Sequence, residues 1–396
     1  MIRGRVLAGS RREAIAFLRQ RNLFAFQLTP ANGWPIELDR FLKRRVAVRD
    51  LAVFCRQFAT MVAAGIPLLQ CLRTLAVQTE NKRLRSIIAE VASDIEKGKS
   101  LSESLRGYKE ELPEIMINML AAGELSGNIE QTLERLAVHF EKEHELREKI
   151  RSAMSYPAFI CGMAFLSVVV LITTVVPIFA DIFAQSGTPL PLSTRILLGI
   201  SRAVTKYWYL LLGGAAILFF GVRRWYAAEG GRRAIDRLLL RLPIVGPLMA
   251  KTIVARFSRT LATLLQSGVP LLLSLETVGN VVGNSVVAGE IADIMRGVKE
   301  GERIAPVLAK SKVFPPMAVS VIGVGEESGA LDKMLEKLAS FYEQEVDAVI
   351  SRLSSIVEPL LIVGVGVLVG FIAVSIYFPM FGLAGALQGG AAAGFP

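Results

Sequence analysis

Two stretches of the sequence nearly repeat each other: residues 54–69 read FCRQFATMVAAGIPLL, and residues 257–272 read FSRTLATLLQSGVPLL. Both contain the pattern Arg-x-x-Ala-Thr-x-x-x-x-Gly-[Ile/Val]-Pro-Leu. Identical residues of the pattern include three equivalent pairs: Arg56 and Arg259, Gly65 and Gly268, and Pro67 and Pro270. Self-similarity at a fixed distance along a chain indicates a repeated structural unit.

The similarity continues well beyond these two stretches. Four further landmarks align, the last two after a one-residue deletion in the second copy: Gly98 with Gly301, Pro113 with Pro316, Gly123-Glu124-Leu125-Ser126-Gly127 with Gly325-Glu326-Glu327-Ser328-Gly329, and Pro157 with Pro359. The period is too long for a solenoid array. We therefore interpret it as a duplicated domain, with repeat 1 at 47–156 and repeat 2 at 226–358.

Both repeats are predicted to be all-helical bundles of about six helices each. Leu51, Phe54 and Phe58 recur at helical spacing in repeat 1. Gly65 suits the left-handed end of one helix, and Pro67 suits the first turn of the next. Replacing these two residues, or their equivalents in repeat 2, is expected to break the geometry of the domain.

The first forty residues have a different pattern. Ser10-Arg11-Arg12-Glu13 has the spacing of a capping box, and short possible strands flank it at 3–8 and 24–28. A turn or linker follows at 29–35. We predict a small αβ appendage and linker at 1–40, and the lack of an early apolar run argues against a cleaved signal peptide.

Three apolar runs predict transmembrane helices. Residues 157–179 and 359–381 contain no Asp, Glu, Lys or Arg, and each can cross a hydrocarbon core of about 30 Å. The apolar run at 207–225 is shorter than the other two. For this run alone, a buried core helix is the alternative. Overall, 52% of residues are hydrophobic and 20% charged, as expected for an all-α membrane protein with soluble domains.

Basic residues predict the orientation of these spans, because cytoplasmic flanks are enriched in Lys and Arg. Such residues precede the first span and follow the second: Arg147, Lys149, Arg151, Arg223, Arg224, Arg232, Arg233, Arg237 and Arg241. The N-terminal region and repeat 2 are therefore predicted to be cytoplasmic, and the loop at 180–206 and the tail at 382–396 to face outward. The net charge of +10 then needs no nucleic acid partner.

Two patterns together resemble the type II secretion F-protein family, which includes the type IV pilus inner-membrane platform proteins. One is the pattern at 56–68 and 259–271. The other runs from Lys149 through Ser155-Tyr156-Pro157 to Val175-Val176-Pro177. The resemblance covers about 50–381, with both repeats in order. Residues at the predicted membrane entries are Tyr156, Pro157, Pro177, Glu358 and Pro359.

The resemblance implies a multi-pass scaffold of the inner membrane without catalytic residues, metal or cofactor. Such proteins look like the hub on which a hexameric cytoplasmic assembly ATPase acts, so that pilin or pseudopilin subunits are lifted into a filament. Other inner-membrane alignment proteins, membrane lipids and further copies of the chain are the implied partners. A membrane transporter or permease subunit is the alternative function.

Residues that suggest chemistry also have structural interpretations. Gly98-Lys99-Ser100 resembles the end of a phosphate loop, but Ser93 stands where the first glycine is needed. His139 and His144 are five residues apart, not the four that place two zinc ligands on one helix face. We therefore predict neither an intrinsic ATPase nor a zinc site.

The duplicated acidic residues and the glycines of the third span leave alternatives open. Glu124 and Glu326 either cap helices or form an edge that binds a partner or cation. Gly366 and Gly370 form a Gly-x-x-x-Gly step, which serves oligomerisation, packing against a pilin, or packing within the monomer.

A basic cluster beside the second span also has two interpretations. It consists of Arg223, Arg224, Arg232 and Arg233. Attraction to anionic lipids accounts for such a cluster, and docking of the ATPase is the alternative.

Overall fold

The computed structural model describes residues 46–175, 177–178, 192–243 and 245–391. The chain divides into two compact units, Met1–Arg45 and Val46–Pro396, and the described residues all belong to the second. The predicted αβ appendage, most of the first half of the 180–206 loop and the end of the tail lie outside the described residues.

Repeat 1 contains six helices. In chain order they are α1 (Val48–Ala63), α2 (Leu68–Gln78), α3 (Lys82–Glu96), α4 (Leu101–Arg106), α5 (Glu114–Ser126) and α6 (Ile129–Val170). The first helix packs along the last, and α6 continues into a π-helical turn at Leu171–Val175.

Repeat 2 follows two connecting helices, α7 (Leu192–Ala227) and α8 (Glu229–Arg241). Its own six are α9 (Val245–Gln266), α10 (Leu271–Val281), α11 (Ser285–Lys299), α12 (Ile304–Leu308), α13 (Pro316–Ser328) and α14 (Leu331–Ala391). The first and last of these pack together as they do in repeat 1. The all-helical prediction is confirmed for the described residues.

The shared glycines and prolines occupy equivalent turns in the two repeats. Gly65 and Gly268 follow the first helix with φ of 79° and 80°, in the left-handed region that favours glycine. Pro67 and Pro270 are the N-caps of α2 and α10. Each turn therefore stops one helix and starts the next within a few residues.

One pairing predicted from the sequence is wrong. Pro113 is the N-cap of α5 and Pro315 is the N-cap of α13, and both helices contain 13 residues. Pro113 thus corresponds to Pro315, not to Pro316, and the one-residue deletion lies before this proline. Two consecutive prolines in repeat 2 made the position of the gap ambiguous, and helix geometry resolves it.

The last helix of repeat 1 is long and apolar enough to cross a membrane. Residues 129–175 contain a segment of mean hydropathy 2.5, none of which is buried within the protein. Pro157, predicted to head a span, lies inside α6 and does not end it. The soluble and apolar parts of α6 are therefore one uninterrupted helix.

The other two predicted spans also lie within long helices. Residues 207–225 belong to α7, which has a kink at Tyr207 (φ −116°, ψ 19°), and residues 359–381 belong to α14. Large apolar side chains in both are exposed, including Ile217 at 76% and Val367 at 68%. Residues 230–241 and α9 meet at a sharp bend and are together long and apolar enough for one span. Many α9 side chains, however, are buried in repeat 2. Three spans remain a prediction.

Candidate functional site: the arginine clamps and the surface between the repeats

An arginine from the quoted pattern fastens the first helix of repeat 1 to its last. Nε and Nη2 of Arg56 each donate to one carboxylate oxygen of Glu141 at 2.7 Å. Nη1 of Arg56 donates to Glu134 at 2.6 Å. These hydrogen bonds raise the pKa of Arg56, and the bond from Arg56 lowers the pKa of Glu141. We call this the Arg56 clamp.

Repeat 2 has the same clamp. Nε and Nη2 of Arg259 donate to the two carboxylate oxygens of Glu343, both at 2.8 Å. The Arg259 guanidinium also donates to the hydroxyl of Ser340. Its side chain is 16% exposed, against 37% for Arg56. Both clamps therefore join the quoted pattern to the helix that continues toward the membrane.

Glu124 and Glu326 bind equivalent backbone groups. The carboxylate of Glu124 accepts from the N–H groups of Leu101 and Ser102, at 2.5 and 2.9 Å. Glu326 accepts from Ile304 and Ala305, at 2.6 and 2.9 Å. Each carboxylate thus satisfies two free N–H groups at the start of a short helix. Both glutamates therefore cap helices, which is one of the alternatives raised from the sequence.

The glycine beside each of these glutamates sits at a close helix crossing. A Cβ added to Gly123 would lie 2.5 Å from the hydroxyl oxygen of Thr132 on α6. One added to Gly325 would lie 3.1 Å from Leu331 and Met334 on α14. Gly127 and Gly329, the other glycines of the segment, have φ of 69° and 67° and end the helices.

The two repeats contact each other through α6 and α9. The Arg135 guanidinium donates to the backbone oxygen of Gln266, at the end of α9. About two turns further along α6, Nη2 of Arg256 lies 3.0 Å from the Glu143 carboxylate, which is 13% exposed. Sequence numbers rise along α6 as they fall along α9, so the two helices run antiparallel here.

A second pair of helices extends this surface. The Asn118 amide on α5 donates to the Thr277 hydroxyl on α10 at 2.9 Å. The Asn280 amide on α10 donates to Glu114 at 2.7 Å. Further toward the apolar segment, Lys149 of α6 donates to Asp347 of α14 at 2.7 Å. These contacts hold the repeats side by side.

His139 lies buried where α6 meets α9. Its side chain is 5% exposed, and its Nδ1 has no hydrogen-bond partner among the described residues. The pKa of His139 is lowered to about 4, chiefly because burial disfavours the charged ring; Glu143 opposes this shift and the nearby Arg259 adds to it. His139 is therefore neutral at pH 7.

The residues that suggested other chemistry belong to turns and helix faces. Gly98 has a φ of 89°, the Ser100 hydroxyl accepts from the N–H of Glu103, and Lys99 pairs with Asp94 at 2.8 Å. This is a helix-connecting turn. Within the described ranges, no three His, Cys, Asp or Glu residues group as metal ligands would.

The predicted membrane-side residues do not form one site. Arg223, Arg224, Arg232 and Arg233 are all exposed, but Arg232 also lies 4.0 Å from the buried carboxylate of Asp236. A Cβ added to Gly366 or Gly370 would meet no described atom within 4 Å. Tyr156 and Pro359 are exposed, Pro157 and Pro177 are half-buried, and the side chain of Glu358 lies outside the described set.

The sequence analysis did not single out two residues that join helices to each other, Asp236 and Arg256. Asp236 accepts from both the N–H and the hydroxyl of Ser285, and so fastens α8 to the start of α11. Arg256 joins the repeats through Glu143. The sequence does contain a signal for Arg256, because repeat 1 has Val53 at the equivalent position. A charged residue in one repeat and an apolar residue in the other indicate that the two surfaces have different neighbours.

Comparison with known proteins assigns the family. The family described as type II secretion system (T2SS) protein F matches residues 54–177 and 257–379, that is, each repeat together with its apolar segment. The chain belongs to the type II secretion system protein F family. Both matches begin at the quoted stretches and include the clamp arginines.

Relatives of this family member come from two kinds of machine. It is 43% identical over 391 residues to the type IV pilus assembly protein PilC of Thermus thermophilus, covering 98% of this chain and 96% of the relative. The PilC protein of Myxococcus xanthus is 39% identical, covering 86% and 82%. The type II secretion system protein F of Aeromonas hydrophila is 37% identical, covering 88% and 90%.

Proposed function

We propose that this family member is a multi-pass inner-membrane platform, which couples a cytoplasmic assembly ATPase to the insertion of pilin or pseudopilin subunits into a filament. In this proposal it acts as a scaffold and not as an enzyme. Its partners are a hexameric ATPase, the subunits, inner-membrane alignment proteins, membrane lipids and further copies of itself. The N-terminus and both repeats are cytoplasmic, and the C-terminus faces outward.

The observation that carries the proposal is the continuity of α6. One helix contains the Glu141 side of the Arg56 clamp, the Lys149 contact to α14 and the apolar segment that follows Pro157. A displacement of repeat 1 is therefore passed to the apolar segment without an intervening loop. In repeat 2, α14 combines the Glu343 side of the clamp with the apolar run after Pro359 in the same way.

The transporter alternative has less support. A transport pathway needs polar or ionisable groups within its spans, and the 157–179 and 359–381 runs have no acidic or basic residue. The duplication here is dominated by polar-faced soluble helices, whereas transporter repeats lie mostly within the membrane.

The test is affinity purification of a functional tagged copy from membranes after mild crosslinking, with the associated proteins identified by mass spectrometry. We expect a secretion-type ATPase and pilin-like subunits, and the subunit type would distinguish a pilus from a secretion machine. An unrelated tagged membrane protein is the control. Recovery of neither component with intact bait would contradict the platform function, and a flux assay would then test transport.

A further inference from the structure

Helix α8 joins the end of α7 to the start of α9 through two tight corners. A Cβ added to Gly231 would overlap the backbone oxygen of Trp225, and one added to Gly246 would overlap a backbone oxygen of α8. Glycine permits such close approach of two backbone segments. Across the first corner, the Tyr226 hydroxyl also donates to the Asp236 carboxylate at 3.3 Å. The position of α8 relative to both neighbouring helices is therefore fixed.

The start of α9 lies near the level at which α14 enters its apolar run. Three side-chain contacts show that α9 and α14 pack antiparallel: Gln266 to Glu336, Arg259 to Glu343 and Lys251 to Glu345. Val245 comes six residues before Lys251, a distance of about 9 Å along a helix. Continuing the register places Val245 beside the part of α14 between Glu345 and Pro359, where the apolar run begins. The end of α8 is therefore close to the predicted membrane surface.

The axis of α8 lies across the direction of the predicted spans. Residues 230–241 and α9 meet at an angle of 108°. Because α9 runs alongside α14, α8 is nearly perpendicular to the helix that continues into the third apolar run. The other end of α8 adjoins Trp225 and Tyr226, which are 56% and 39% exposed at the end of the second predicted span. Such aromatic side chains are typical of the boundary between lipid and water, so α8 is expected to lie along that boundary.

Asp236 determines which face of α8 points toward repeat 2. Its carboxylate is 2% exposed and accepts from the N–H and the hydroxyl of Ser285, at 2.7 and 2.6 Å. Arg232 lies 4.0 Å from the same carboxylate, and Ile235 and Leu239 are half-buried on this side of the helix. Asp236 is the only acidic residue at 230–241, so the opposite face of this segment has no negative charge.

The outward face of α8 combines a row of arginines with a row of leucines. Arg233, Arg237 and Arg241 are spaced four residues apart, and all three are exposed and pair with no described carboxylate. Leu238 is 60% exposed and Leu242 39%. Adjacent basic and apolar rows are typical of helices that lie in a membrane interface, with the basic groups among the headgroups and the apolar side chains at the acyl chains.

We propose that α8 is an interfacial helix that binds anionic phospholipids of the cytoplasmic leaflet. Arg233, Arg237 and Arg241 bind the phosphate groups, and Leu238 and Leu242 contact the acyl chains. The inference rests on the proposed multi-pass topology, and it names the lipid class and the residues that bind it. A soluble ATPase would have to enter between repeat 2 and the bilayer to reach this face, so lipid is the better match for its charge.

This arrangement gives α8 a mechanical role in the proposed platform. Asp236 fastens the helix to the start of α11, so lipid bound on the outward face holds repeat 2 against the bilayer. Repeat 2 is then attached to the membrane at a surface helix as well as through α7 and α14. Anionic lipid is therefore expected to fix the tilt of repeat 2 relative to the membrane plane.

The first test locates the outward face in purified full-length protein, reconstituted in nanodiscs of phosphatidylcholine and phosphatidylglycerol. Leu238→Cys in a Cys161→Ser background receives an environment-sensitive fluorophore, since the other two cysteines are buried. We expect quenching by lipids spin-labelled near the headgroup and little quenching by aqueous iodide. Leu125→Cys is the matched control, because position 125 is 91% exposed and lies just before α6, at the end remote from Pro157. Iodide quenching as strong at 238 as at 125 would overturn the proposal.

The second test identifies the lipid class. The protein labelled at 238, in a neutral detergent, is titrated separately with dioctanoyl phosphatidylglycerol, dioctanoyl phosphatidylcholine and inorganic phosphate. We expect a saturable fluorescence change with phosphatidylglycerol alone. A basic residue near an anionic surface contributes about fivefold in affinity, so Arg237→Gln with Arg241→Gln should weaken this binding at least about tenfold.

The matched control for the lipid titration is Lys333→Gln with Lys337→Gln. It removes two exposed charges with the same spacing from the part of α14 remote from Pro359, and it should bind phosphatidylglycerol as the wild type does. Equal binding of the two lipids, an equal response to inorganic phosphate, or equal effects of the two double variants would each contradict the proposal. No ATPase or pilin is present, so both tests are independent of the affinity purification.

Discussion

At the residue scale, one carboxylate fixes the start of the short fourth helix of repeat 1. Glu124 accepts two backbone hydrogen bonds there, so Glu124→Gln removes a charge-assisted bond and the attraction between the carboxylate and the helix N-terminus. We expect the free energy of unfolding to fall by about 1–2 kcal/mol in denaturant titrations of the purified full chain. Glu80→Gln, on an exposed residue, is the matched control and should stay within about 0.5 kcal/mol. Equal effects of the two substitutions would show that the cap contributes nothing.

The sequence predicted that Glu124 and Glu326 are equivalent, but not what they bind. Their partners are backbone N–H groups more than 20 residues earlier in the chain, at Leu101 and Ile304. Every residue type except proline has such a group, so no side-chain pattern records the contact. Gly65 and Gly268, by contrast, were predictable, because a left-handed turn between two apolar helices strongly favours glycine.

At the element scale, the two clamps are expected to differ in strength. The Arg259–Glu343 pair is less exposed and is also bound by Ser340, so a double-mutant cycle with alanine should give a coupling of about 1–2 kcal/mol. The more exposed Arg56–Glu141 pair should give less than about 1 kcal/mol. Arg73→Ala with Glu96→Ala, a pair joining α2 to α3, is the exposed reference. A cycle in which Arg56 couples more strongly than Arg259 would contradict this order.

The Arg56 clamp also predicts the direction of a pH effect. Arg56 holds the pKa of Glu141 below its ordinary value of 4.5, so the unfolded chain binds more protons than the folded one below that pH. The contribution of the clamp is therefore complete above pH 4.5 and is lost as the pH falls through the lowered folded value. Denaturant titrations of wild type and Glu141→Gln should converge over this range. Curves that stay parallel would contradict the effect.

Helices are predictable from apolar spacing, but the continuity of α6 is not. The run without acidic or basic residues begins at Pro157 and predicts the head of a span there, but it does not say whether a helix also begins at this residue. In the structure α6 continues through it, with Tyr156 and Phe159 exposed on either side. The proline removes one backbone hydrogen bond, and helices in membranes tolerate this loss when the freed carbonyl finds another partner.

At the scale of the whole molecule, the packing of one repeat on the other could not be predicted from either repeat alone. Beside Arg256, His139 is a signal in the sequence, because Phe341 stands at the equivalent position of the second copy. A polar ring in place of an apolar one suggests a different neighbour. Only the structure shows that the neighbour is α9, with Arg259 near the histidine and Arg256 paired with Glu143, one turn along α6.

The buried histidine makes the joined repeats sensitive to acid. Its pKa falls from 6.5 in the unfolded chain to about 4 in the folded protein, chiefly because burial disfavours the charged ring. The unfolded chain binds the extra proton between these values, so stability is complete above pH 6.5 and declines toward pH 4, by on the order of 3 kcal/mol. His139→Phe, which restores the residue found in repeat 2, should remove this part of the pH dependence when unfolding is measured by denaturant titration at each pH. His144→Gln is the control and should retain it, because His144 lies on another face of α6. Parallel curves for wild type and His139→Phe would contradict the prediction, because they would mean that the ring binds its proton equally in the folded and the unfolded chain.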